Sequence, residues 1–128
     1  MLATNLLRVS VILVLIGMAL GIGMGIGQDF RLAPAHAHLN LVGYVALFLA
    51  GLYYNAVPDV AKMRLAAVHA LTAVIGAVVL PTGIALVTLG GPAYVPVAIV
   101  GSLIVFFGMA LFAFIVCRYG LIPAGKRA

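Results

Sequence analysis

The sequence predicts an all-α integral membrane protein, with four transmembrane helices in an up-down bundle and both termini cytoplasmic. Three observations predict it. The 128-residue chain is 66% hydrophobic and 7% charged, with a mean hydropathy of +1.34, whereas a soluble domain carries roughly 25% charged residues. Its apolar residues fall into four runs of the ~20-residue length that a helix needs to cross a bilayer. Short linkers rich in Gly, Pro and Asp separate the runs.

The first run covers approximately residues 6–26 and ends at Gly27-Gln28-Asp29-Phe30-Arg31. The second covers 34–57 and ends at Pro58-Asp59-Val60-Ala61-Lys62. The third covers 65–89, with Gly90-Gly91-Pro92 before the fourth, 94–116. Together they make residues 1–128 a single four-helix transmembrane domain, because tight connections leave consecutive helices as antiparallel neighbours. Ala33 and Ala35 resemble a small-residue cleavage site, but the first run outlasts a signal-peptide core of about 7–15 residues, so it reads as a retained helix.

Charge sets the expected orientation. The net charge is +5, with a pI near 9.9, but the basic residues form no stripe and do not point to nucleic acid. Arg8, Lys62, Arg64, Arg118, Lys126 and Arg127 fall on the side of the termini, and Arg31 alone falls on the other. The positive-inside rule then makes the termini cytoplasmic, as expected of a multi-pass protein of a bacterial inner membrane. The single cysteine, Cys117, excludes an internal disulfide or a Cys-x-x-Cys site.

Two further expectations concern the helices themselves. Gly17, Gly21 and Gly25 form a small-xxx-small face on the first helix. It serves either close helix packing or a smooth surface for a flat tetrapyrrole. In the third run, Pro81 should kink the helix, with Thr82 beside it to rejoin a freed carbonyl.

The chemistry gathers at the start of the second run, Ala33-Pro34-Ala35-His36-Ala37-His38-Leu39-Asn40. Ionisable side chains are expensive in a bilayer and mark function there. On a helix, His36 shares a stripe with Asn40, Gly43, Leu47 and Gly51. His38 shares another with Leu41, Val42, Val45 and Leu49, so the two imidazoles diverge within one protomer. Neutral imidazole is a common ligand for metals, haem iron included. Asn40 is placed to orient His36, and Tyr44 lies deeper as a hydrogen-bonding group. Asp29 and Arg31 are placed to pair with each other or to meet propionate-like groups. His69 should differ from His36 in depth by on the order of 20 Å, which excludes a single three-histidine site. It reads as a cytoplasmic-interface residue near Thr72, and Tyr53 and Tyr54 as an interfacial aromatic belt.

The run from Arg31 through Pro34 and His36 to Leu39-Asn40, then Gly51, Tyr53-Tyr54 and Pro58, resembles the second transmembrane helix of catalytic subunit I in the haem–copper oxidase and nitric oxide reductase superfamily. Met63-Arg64-Leu65 before His69 resembles the start of that family's next helix. The resemblance covers at most the first three helices. It implies a small stand-alone relative in which His36 is an axial ligand of a low-spin haem b. The family's second haem ligand and its copper histidines come from later helices that this sequence lacks, so oxygen or NO reduction is not expected.

Three functions follow as expectations. The first is a haem b protein for electron transfer or diatomic gas binding, with cofactor contacts from His36, His38, Asn40, Tyr44, Arg31 and Met24. Its sixth ligand would come from His38 of a neighbouring protomer, from Met18 or Met24, or from an open site. The second is a copper or zinc site built from His36 and His38 across protomers of a homo-oligomer. The third is a non-catalytic accessory subunit of a larger, respiratory-type membrane complex. No nucleophile–base pair or phosphate loop favours hydrolysis or phosphoryl transfer, and no acidic residue lies within a span to carry a cation relay.

Overall fold

In a computed structural model, which describes residues 1–120, every regular element is helical. Helix α1 is Leu2–Gly27, α2 is Ala33–Ala56, α3 is the single turn Pro58–Ala61, and α4 is Arg64–Gly90. A 3₁₀ turn, Pro92–Tyr94, leads into α5, Val95–Tyr119. The four long helices are each long and apolar enough to cross a membrane. They bracket the expected spans to within a few residues. Lys126 and Arg127, which entered the charge argument, lie outside the described residues.

Local chemistry sets the helix ends. Gln28 closes α1 in the left-handed region, at φ 50°, and its N–H donates to the Met24 carbonyl. That carbonyl also receives the Asp29 N–H, at 3.2 Å. Pro34 lies in the first turn of α2, where its missing N–H costs nothing. Pro58 forces Val57 out of the helical region (φ −125°, ψ 69°) and so ends α2. Gly91, at φ 90°, makes the turn after α4 in a conformation that side chains other than glycine's avoid. In the α1–α2 connection Arg31 grips Asp29 through Nε and Nη2, the closest contact being 2.6 Å.

That pairing holds the Asp29 carboxyl down, from 3.8 to about 2, chiefly through the Arg31 side-chain hydrogen bonds. The depressed value means that the contact favours the folded loop above pH 3.8 and is lost as pH falls toward 2. A carboxyl NMR titration should find Asp29 half-protonated near pH 2, and Arg31→Ala should return it to about 3.8.

Packing joins the helices in the order α1, α2, α4, α5. The buried residues of α1 are Ala3, Leu6, Ser10, Leu13, Gly17 and Met24, one stripe at helical spacing. Against it, Gly51 of α2 meets Leu7, Gly43 meets Leu13, Asn40 meets Gly17 and His36 meets Gly21. The α4–α5 pair is closer still. Gly83 lies on the backbone of Ala98, and Gly101 on the backbone of Leu80. The buried core includes Leu6, Leu47, Tyr54, Ala66, Ala77 and Ile115. Large apolar side chains cover the outer faces, among them Ile22, Leu41, Leu103 and Phe106, each more than 60% exposed. A hydrocarbon solvent suits such a surface.

Two expectations are revised here. Tyr53 and Tyr54 do not turn their rings outward as a lipid-facing belt would: they are 9% and 1% exposed and pack edge-on against each other and Phe112. Burying both rings against a third costs little because each hydroxyl finds a partner, Tyr53 on the Gly120 carbonyl at the end of α5 and Tyr54 on His69. His69 is covered by protein too, at 1% exposed, and Thr72 does bond it, its hydroxyl donating to the His69 carbonyl at 2.9 Å. Pro81 is buried within α4, which runs as one helix from Arg64 to Gly90.

Candidate functional site

Helix α2 is not uniformly α-helical. Between Ala33–His38 and Leu47–Ala56 its backbone adopts a π-helix over Leu39–Ala46. Such i→i+5 turns are rare and are frequent at functional sites. This one begins just past the two histidines and contains Asn40, Gly43 and Tyr44.

His36 projects onto α1. Its Nδ1 lies 2.9 Å from the Gly17 carbonyl. A carbonyl only accepts, so Nδ1 carries the proton and Nε2 the lone pair. Asn40 Nδ2 lies 3.3 Å from Nδ1 and 3.2 Å from Nε2. Distances so nearly equal put the amide off the lone-pair axis of either nitrogen. Asn40 Oδ1 is buried without a hydrogen-bond partner. The opposite amide orientation would strand an N–H in its place. The two glycines opposite are required by this packing. A Cβ at Gly17 would overlap Asn40 Oδ1, and one at Gly21 would stand 2.9 Å from His36 Cε1.

The expected stripe of His36, Asn40, Gly43, Leu47 and Gly51 therefore faces inward. That of His38 faces outward, with Leu41, Val45 and Leu49 all exposed. Val42 departs from it and is partly buried. His38 donates its Nδ1–H to the Pro34 carbonyl of its own helix, at 2.8 Å. His36 reaches across to α1 while His38 stays on α2, so the structure does not bring the two imidazoles to one centre. Arg31 is engaged with Asp29. Tyr44 packs on Phe48, with ring centroids 5.4 Å apart. Met24 is buried on the same stripe of α1 as Gly17, whereas Met18 is 55% exposed and turned away.

A second polar cluster went unseen in the sequence. Tyr54 Oη lies 2.8 Å from His69 Nδ1, and the imidazole stacks on Phe112 with centroids 4.8 Å apart and planes 19° from parallel. Tyr54 is eighteen residues beyond His36, about 27 Å along the helix at ~1.5 Å per residue. His36 and His69 thus belong to opposite ends of the molecule. Tyr54→Phe should strip His69 Nδ1 of its partner and cost roughly 1 kcal/mol, as membrane-embedded hydrogen bonds do. Detergent unfolding of the purified protein checks this.

The structure bears in two ways on the groups that the residues might hold. The glycine face is filled at Gly17 and Gly21 by Asn40 and His36, so a flat ring has no seat there; Gly25 has open space around it. The donor chemistry does suit an iron porphyrin. One imidazole has its Nδ1–H fixed on a backbone carbonyl, the arrangement that orients ligating histidines, and an unpartnered buried oxygen lies beside it. Among the described residues no three His, Cys, Asp or Glu side chains come together to hold a metal ion. No protein-family model, curated protein or solved structure matches the chain.

Proposed function

We propose that this chain is an up-down four-helix bundle of a bacterial inner membrane, with both termini cytoplasmic, that binds haem b through Nε2 of His36. The observation carrying this reading is the Nδ1 contact of His36 with the Gly17 carbonyl, which fixes the tautomer and leaves Nε2 as the ligating nitrogen. Gly17 and Gly21 admit the His36 imidazole to the α1–α2 interface, and Asn40 restricts its rotation. When bound, the haem would supply either a reversible one-electron couple or an open iron position for a diatomic gas. A second axial ligand would come from Met24, buried on the same stripe of α1, or from His38 of a neighbouring protomer, and the latter requires a homo-oligomer. Arg31, just before α2, and Tyr44, midway along it, are the remaining candidate contacts.

A visible absorption spectrum of protein purified from haem-supplemented cells tests the proposal. A Soret band with stoichiometric haem is expected. A colourless protein that takes up no added haem would overturn it. One observation favours a second reading, in which His36 only bridges helices: its polar contacts all lie within the protein, on Gly17 and Asn40. On that reading the chain is an accessory subunit of a larger membrane complex, and it co-purifies with that complex without colour. A copper or zinc site across protomers draws less support, because His38 stands alone on an exposed face.

A further inference from the structure

The imidazole of His69 has a nitrogen that Tyr54 does not use. Nδ1 meets the Tyr54 hydroxyl, and among the described residues Nε2 has no hydrogen-bond partner. One face of the ring lies on Phe112. The ring lines a cleft shared by three helices: Val42 and Ala46 of α2, His69 and Ala73 of α4, Val105 and Met109 of α5. The void is about 20 Å³, room for roughly one water-sized molecule.

Three kinds of occupant compete for this space, and the lining discriminates among them. A water needs two to four polar partners, and the lining side chains offer one ring nitrogen. A cation brings charge into apolar surroundings with one imidazole and one thioether as its only side-chain donors. A small neutral molecule needs little beyond contact with apolar walls, and engineered apolar cavities stay dry and take up xenon or benzene for that reason. The void, at about 20 Å³, is too small for either of those and suits a molecule of two light atoms. Met109, 47% exposed, opens the cleft toward the outer surface of the helices, the side from which a hydrocarbon-soluble molecule would arrive.

We propose that this cleft is a second binding site, distinct from the His36 region, for a neutral diatomic gas held by apolar walls with His69 Nε2 as its one polar contact. The proposal does not depend on haem at His36, which lies at the other end of α2.

Dioxygen itself serves as the probe, on protein carrying ¹⁵N-labelled histidine in lipid nanodiscs. Its paramagnetism should broaden the His69 Nε2 resonance beyond what dinitrogen at the same pressure produces. Val105→Ile, which adds one methylene to the wall of the cleft, should abolish the response, with Ala73→Val as a second filling variant if the first does not fold. His36→Ala should retain it, which separates this site from the haem proposal. No broadening at His69, or broadening that survives in a folded filling variant, would overturn the assignment.

Discussion

His36→Ala is expected to eliminate the Soret band altogether, whereas His38→Ala leaves it in place. The difference follows from where the two rings go. His36 crosses to α1 and has its Nδ1–H fixed on Gly17, so its loss removes the only imidazole in the interface between the two helices. His38 bonds its own helix at Pro34 on a face that points outward. Asn40→Ala should give an intermediate result, in which haem is retained but bound more loosely, since outer-shell partners of ligating histidines are worth about 10–100-fold in affinity. Haem titration of the apoprotein, followed by absorbance, measures all three. Equal binding by the His36 and His38 variants would sink the assignment.

Gly83→Ala should be among the most damaging single-methyl additions in the protein. A Cβ there would stand 2.6 Å from the Ala98 nitrogen and 2.7 Å from its Cα, while one at Gly101 would stand 2.6 Å from Leu80 Cα. Both obstacles are backbone, so relief requires α4 and α5 to move apart, and the whole helix pair loses contact. Overpacking of this kind costs about 1–3 kcal/mol, sometimes more. Gly51→Ala provides the contrast. Its nearest neighbours are Cγ and Cδ2 of Leu7, at 2.8 Å and 2.9 Å, with the Ala3 carbonyl oxygen farther off at 3.3 Å, and a leucine side chain can change rotamer. Unfolding free energies in mixed micelles should therefore rank Gly83→Ala well below Gly51→Ala.

The helices were readable because each carries its own signal. Apolar runs of membrane length and linkers such as Gly90-Gly91-Pro92 need no tertiary information. The divergence of His36 from His38 was also legible, since it depends only on helical spacing. Four features were legible only in part or not at all. The burial of Tyr53 and Tyr54 depends on Phe112, which is remote in sequence. The environment of His69 was partly encoded, because Ala66, Ala70, Ala77 and Leu80 make a buried stripe at helical spacing on which His69 also falls. Reading that stripe as a packing face would have placed His69 inside, but it would not have named Tyr54. Close approach on the glycine face holds at Gly17 and Gly21 but not at Gly25, and which side chains approach it depends on how α1 and α2 register. That register left no local trace. The π stretch, too, sits within an apolar run whose composition does not distinguish one helix type from another.

That stretch lies between the two polar clusters of α2. Eighteen residues are five whole turns of an ideal α-helix at 3.6 residues per turn, so in a regular helix His36 and Tyr54 would stand on one straight line. They do not share a neighbour: His36 meets α1 at Gly17, and Tyr54 meets α4 at His69. On both flanks of the wider turns, Leu39–Ala46, the helix nonetheless keeps α1 beside it, His36 at Gly21 and Gly51 at Leu7. One helix thus holds a single neighbour along its length and passes one long side chain, Tyr54, across to another.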